Sequence, residues 1–135
     1  FRRVLFRSLV DDPATKRSRV EVAAFGIGGP AWTATTLGPE IAADLTRAEA
    51  VGEVLVSPFD IAGRFVCDAL RDRTIAFDAR DLGQIPVRIG VAGGAAKVAP
   101  ILGALRGGML TTLVTDEPTA EAVLALDASG EPAPR

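Results

Sequence analysis

The chain has 135 residues, 48% apolar and 24% charged, which is room for one domain with a hydrophobic core and too little for two. It holds no histidine and a single cysteine, Cys67, which excludes an intrachain disulfide, a cysteine-built metal site and the usual histidine base or ligand. A net charge of −2 offers no basic surface for nucleic acid, and without a membrane-length apolar run or a signal-peptide core the expectation is a metal-free, cofactor-free cytoplasmic protein with no membrane partner.

Phe1 to Ser8 (FRRVLFRS) carries three arginines and no clean period. It reads as a non-native or frayed segment, or else as the cut end of an amphipathic helix. Val20 to Ile27 (VEVAAFGI) is rich in apolar and β-branched residues and ends in glycines, the pattern of a buried strand. A loop over Gly28 to Gly38 follows. Pro39 then opens a helix over Glu40 to Ala50, with Ile41 and Leu45 on one face. Gly52 interrupts, and Glu53 to Ser57 (EVLVS) reads as a second short buried strand.

Pro58 to Arg64 is a turn region. Short extended pieces are expected around Phe65 to Cys67 and Thr74 to Phe77, then a helical turn over Ala79 to Leu82. Val87 to Ala92 (VRIGVA) is a strand stopped by Gly93 and Gly94. The next helix, Ala95 to Arg106, places Val98, Ile101, Leu102 and Leu105 in a core-facing stripe. Pro100 within its first turns argues for a late or irregular start. Gly107 and Gly108 end it. Leu110 to Thr115 is the last strand and Glu117 to Leu126 the last helix. The domain is read as 9–127, with 128–135 as a flexible tail. Alternating strands and helices predict a three-layer α/β fold, a mostly parallel sheet with helices on both faces.

In such sheets ligands bind beyond the carboxyl ends of the strands, and three strand ends carry suitable features. Phe25 to Pro30 (FGIGGP) allows close backbone approach to a ligand, or is only a tight turn. Gly90 to Lys97 (GVAGGAAK) combines glycine amides, a helix N-terminus and an ammonium, a set that suits phosphate or carboxylate. Its plain alternative is a solvated lysine over a structural turn. Thr115 or Asp116 would cap the last helix. Asp60 and Arg64 bracket a turn and could hold hydroxyls and an anion, or merely shape the turn. Trp32 could stack on a sugar or pack under its loop. Arg71, Asp72 and Arg73 read as a surface ion-pair patch, and Cys67 as a small core residue.

Ile85 to Leu124 (IPVRIGVAGGAAKVAPILGALRGGMLTTLVTDEPTAEAVL), with AFGIGGP and the Ala50 to Asp60 segment ending Pro-Phe-Asp, resembles the SorC family of sugar-responsive bacterial transcription regulators. The resemblance runs from about Leu9 to Leu126 and implies the C-terminal part of an effector-binding domain. The fold it implies is that of sugar-phosphate isomerases and aminosugar-phosphate deaminases, used for sensing. It implies a sugar or sugar phosphate as ligand, DNA contact only through an N-terminal helix-turn-helix absent here, and a homo-oligomer when intact. Carried over by motif, the effector-site residues are Gly26, Gly28, Asp60, Gly93, Gly94 and Lys97. A Gly-Gly-Thr type loop that the family places earlier is absent.

An isomerase or deaminase is the alternative, with Asp60, Asp78, Asp116 and Glu117 as the available carboxylates. Nothing in their spacing pairs a base with an acid, so no catalytic residue is assigned. Gly26 to Ala31 formally fits a dinucleotide fingerprint. The following strand, however, ends in Ser57 rather than an acid, and no helix begins at the glycines.

Overall fold

The computed structural model describes residues 5–12, 17–29, 38–71 and 77–130. Strand β1 (Leu5–Asp12) runs antiparallel to β2 (Arg17–Gly26). Helix α1 (Pro39–Arg47) follows, then β3 (Gly52–Val54), β4 (Ser57–Phe59) and a single turn of helix, α2 (Asp68–Arg71). A 3₁₀ turn (Ala79–Gln84) leads to β5 (Val87–Val91). Another (Ala95–Lys97) leads into α3 (Val98–Arg106), β6 (Thr112–Val114) and α4 (Glu117–Ser129).

The main sheet has the order β1-β2-β5-β6. Both β2–β5 and β5–β6 are parallel, so the sheet is the mostly parallel α/β type expected. Burial alternates along β2: Ala23 and Phe25 are buried, while Val22 and Ala24 are only half-buried and Gly26 is exposed. The buried set joins Ile101, Leu102 and Ala104 of α3, Val123 of α4, and Leu82, Ile85, Met109 and Leu110 in one core. Helices were expected on both faces. Among the described residues the helical core lies on the Ala23–Phe25 face, and on the opposite face Val22, Ala24 and Ile89 are half-buried and Val87, Val91, Thr112 and Val114 exposed.

Several elements differ from expectation. Leu5 to Ser8, read as foreign or frayed, lies in β1 and pairs with β2. The Glu53 to Ser57 segment is not one strand of the main sheet. It folds back as a β3–β4 hairpin through Leu55 and Val56, both at positive φ (50° and 64°). That reversal brings Val54 and Phe59 together into the core, each fully buried, and their burial outweighs the backbone strain. Helix α1 stops at Arg47 rather than Ala50, and Glu49 follows at φ 50°. Its Ile41 and Leu45 are buried as expected, against Leu70 and with half-buried Cys67 at the margin.

Helix α3 begins at Val98 after a 3₁₀ turn, the irregular start that Pro100 implied. Its buried face is centred on Ile101, Leu102 and Ala104. Leu105, expected in the core stripe, is 42% exposed. Helix α4 continues to Ser129, beyond Leu126. Trp32, Asp72, Arg73 and all but the last residue of the Thr74 to Phe77 piece lie outside the described residues, as does 131–135.

Candidate functional site

Strand β2 delivers the FGIGG bend to the carboxyl edge of the sheet. There Gly26 pairs in register with Val91. Gly28 is bound on both sides by the hairpin: its N–H donates to the Glu53 carbonyl (2.8 Å), and its carbonyl accepts from the Glu53 N–H (3.2 Å). Because β3 lies this close, a methyl group on Gly28 would stand 2.3 Å from Glu53 Cγ and 2.9 Å from Oε1. The Glu53 side chain therefore lies across the bend.

From the other side comes Lys97. A methyl on Gly29 would stand 3.4 Å from Lys97 Nζ and 3.5 Å from the Ala96 carbonyl oxygen. The half-buried lysine thus leans back from the start of α3 over the glycine bend. An ammonium and a carboxylate flank two consecutive glycines at the carboxyl end of a parallel sheet. Such a pair can hold an anionic group at one end and accept hydroxyl hydrogen bonds at the other. Glu53 was missed at the sequence level. Its signal, one residue after a strand-breaking glycine, means nothing until the hairpin brings it to Gly28.

The Gly93–Gly94 bend sits beside this cluster, and its donors are partly committed. Gly94, at φ 97°, donates its N–H to Thr119 Oγ1 (2.7 Å) and Asp116 Oδ2 (3.1 Å). A methyl on Gly93 would stand 2.3 Å from Asp116 Oδ2, so that glycine is needed for close approach of the α4 start. Asp116 caps α4 by accepting from the Thr119 N–H (2.9 Å) and hydroxyl (2.7 Å). The Thr119 hydroxyl and then its N–H, both donating to the carboxylate, hold the Asp116 pKa below its ordinary value against an opposing effect of burial, and the Gly94 N–H adds a smaller lowering. Of the two capping candidates Asp116 takes the role. The Thr115 hydroxyl is left buried with no hydrogen-bond partner among the described residues.

Asp60 is not brought to this cluster. Its carboxylate, 7% exposed as a residue, accepts from the N–H groups of Ala62 (3.0 Å) and Arg64 (2.9 Å) and from Arg64 Nε (2.8 Å) and Nη2 (2.7 Å). It has no capacity left for a ligand. Its loop rests on the far half of α3: a methyl on Gly103 would stand 2.8 Å from the Asp60 carbonyl oxygen. Gly103 is six residues beyond Lys97, or about 9 Å of helix rise. Asp60 and Arg64 therefore hold their own loop together, away from the glycine bend.

Two of the other candidate carboxylates are engaged in capping. Asp78 caps the 3₁₀ turn by accepting from the Arg80 N–H (3.0 Å), and Asp116 is engaged as above. Among the described residues no group of three or more potential metal ligands occurs, and no helix is long and apolar enough to cross a membrane.

A family described as "Putative sugar-binding domain" matches residues 4–125. The sorbitol operon regulator of Klebsiella pneumoniae is 35% identical over 111 residues, covering 78% of this chain and 35% of the regulator. Its full-length crystal structure superposes with a TM-score of 0.71 over 78% of this chain and 36% of that one, at 34% identity. Transcriptional regulator LsrR of Escherichia coli O9:H4 is 43% identical over 79 residues, covering 58% of this chain and 25% of the regulator. The sugar-binding domain of a transcriptional repressor from Vibrio fischeri gives a TM-score of 0.73 at 29% identity, over 82% of this chain and 46% of that one. The chain spans about a quarter to a third of the length of the curated relatives it matches.

Proposed function

Since the chain belongs to the sugar-binding domain family of SorC-type transcription regulators, we propose that it senses a sugar or sugar phosphate at the carboxyl edge of its sheet. The observation that carries this reading is the Lys97 ammonium leaning over the Gly28–Gly29 bend with Glu53 on the other side. Lys97 takes the anionic group. Glu53 accepts from sugar hydroxyls. Gly26, Gly28, Gly93 and Gly94 keep the backbone low enough for the ligand to approach.

In the intact regulator, ligand binding shifts the balance between oligomeric or DNA-bound states, and DNA contact belongs to a separate N-terminal domain. A homo-oligomer in the cytoplasm is the setting this implies. The sensing domain is taken as 9–127, together with the Leu5 to Ser8 stretch of β1 that pairs with β2. Catalysis is not part of the reading: the relatives are named as regulators, and Asp60, Asp78 and Asp116 are committed to loops and caps.

Calorimetric titration of the intact regulator with hexose and hexitol phosphates, with inorganic phosphate as control, tests the site. A charge-assisted hydrogen bond contributes about 1.5–3 kcal/mol, so Lys97→Ala is expected to weaken binding roughly 10- to 150-fold. Equal affinity of variant and wild type would remove Lys97 from the site.

A further inference from the structure

Backbone strain is gathered into one segment of the chain. Among the described residues the non-glycine residues with positive φ are Glu49 (50°), Leu55 (50°), Val56 (64°) and Cys67 (62°). Glu49 stands where the chain leaves α1, Leu55 and Val56 form the tip of the β3–β4 hairpin, and Cys67 stands where α2 begins. Both ends and the tip of the 49–67 stretch are thus held in a conformation that L side chains disfavour. Such strain persists only where surrounding contacts enforce it, and it collects at clamps and switch regions.

The same stretch is bonded mainly to itself. Val51 N–H donates to the Phe59 carbonyl (2.9 Å), Val66 N–H to the Pro58 carbonyl (2.9 Å) and Asp60 N–H to the Arg64 carbonyl (3.0 Å). The Asp60 carboxylate accepts from Ala62 and Arg64. Among the described residues, its only hydrogen bonds beyond the helical ends it joins are the two exchanged between Glu53 and Gly28. Packing holds the rest down along α3. A methyl on Gly52 would stand 2.8 Å from Pro100 Cβ, one on Gly103 2.9 Å from the Phe59 ring, and one on Gly63 2.2 Å from Gly107 N. A strap therefore runs the length of α3, from the effector cluster at Glu53 to the helix end at Gly107. Val54 and Phe59, both fully buried, anchor it, and the strain offsets part of that anchorage.

We propose that residues 49–67 form a strap that opens and closes as one unit, carrying Glu53 off and onto the glycine bend, and that an effector bridging Lys97 and Glu53 holds it shut along the whole of α3. Strap motion stands on the geometry alone; its locking by ligand rests on the effector reading given above. Asp60 and Arg64 become positioning residues in this scheme. They keep the strap rigid, so that an event at Glu53 reaches the far end of α3.

Hydrogen–deuterium exchange of the intact regulator, read by mass spectrometry on peptides spanning 49–56 and 57–67, tests this. Without ligand, both peptides should exchange through a shared opening about tenfold more populated than that of β5 and α3. Leu55→Gly with Val56→Gly relieves the strain at the tip, and after correction for intrinsic rates should slow both peptides about tenfold. Arg64→Ala removes an ion pair whose guanidinium is exposed. It should speed both peptides about threefold, the one holding Glu53 included, and leave β5 unchanged. The strap is overturned if 49–67 exchanges only with the global transition, or if Arg64→Ala acts on 57–67 and not on 49–56. Glucitol phosphate, at a concentration where calorimetry shows it bound, should slow both peptides about tenfold. Slowing of 49–56 alone would overturn the coupling along α3. Failure of the sugar phosphate to bind would count against the effector reading, while ligand-free exchange has already decided the strap.

Discussion

At the residue scale the site is decided by which polar groups have already been used. Gly94 N–H, Gly28 N–H and all of Asp60's acceptors are engaged internally, whereas Lys97 is directed to the glycine bend. Motif matching treats these residues as equals, and hydrogen-bond accounting separates them. The Asp116–Thr119–Gly94 trio links the α4 start to the bend and gives the site a pH-dependent support. Because the folded-state pKa of Asp116 is lowered, its contribution to stability is present in full above the unfolded carboxylate value of about 3.9. It is lost as pH falls through the lowered folded value. Asp116→Asn keeps a cap without the charge, so the difference in Tm between wild type and variant should be constant near neutrality and shrink towards zero in strong acid. A difference that does not change with pH would contradict this. Thr119 is 2% exposed, and Thr119→Val, which removes one of the two acceptors for Gly94 N–H, should cost about 1–3 kcal/mol in urea unfolding.

At the element scale, periodicity and breakers located most of what is there. Ile41 and Leu45 marked the buried side of α1, Pro100 announced the irregular entry to α3, and the capping pair Thr115 or Asp116 marked the start of α4. The β3–β4 hairpin was missed because its turn has the wrong chemistry. Two-residue hairpin turns need positive φ at both positions and favour Asn-Gly, yet Leu55 and Val56 occupy them. A β-branched residue in the left-handed region is strained by about 1–2 kcal/mol. Val56→Gly should therefore raise stability by about 1 kcal/mol after the entropy cost of glycine, read as a higher urea midpoint at unchanged slope. The Asp60 loop shows the reverse case, in which glycine is indispensable. Gly63 lies at φ 78°, and a methyl there would stand 2.2 Å from Gly107 N.

At the scale of the whole molecule, the described helices α3 and α4 pack on the Ala23–Phe25 face of the sheet, and Val87, Val91 and Val114 on the other face are exposed. The isolated chain should bind the dye 8-anilino-1-naphthalenesulfonate with strong fluorescence enhancement, and Val91→Lys with Val114→Lys should abolish most of it. Undiminished fluorescence in that variant would locate the dye elsewhere.

The amino-acid order by itself determined the α/β class, the positions of β2, α1, β5, α3 and α4, and the family. The class and the positions depend on local periodicity, caps and breakers written in consecutive residues, and the family on the resemblance carried by the Ile85 to Leu124 motifs. Tertiary structure alone decided that Glu53 joins Lys97 at the glycine bend, that Asp60 is committed to its own loop, and that the Glu53 to Phe59 stretch folds back as a hairpin. Each of these turns on contacts between segments far apart in the chain, where burial and hydrogen-bond saturation are set by which element packs against which.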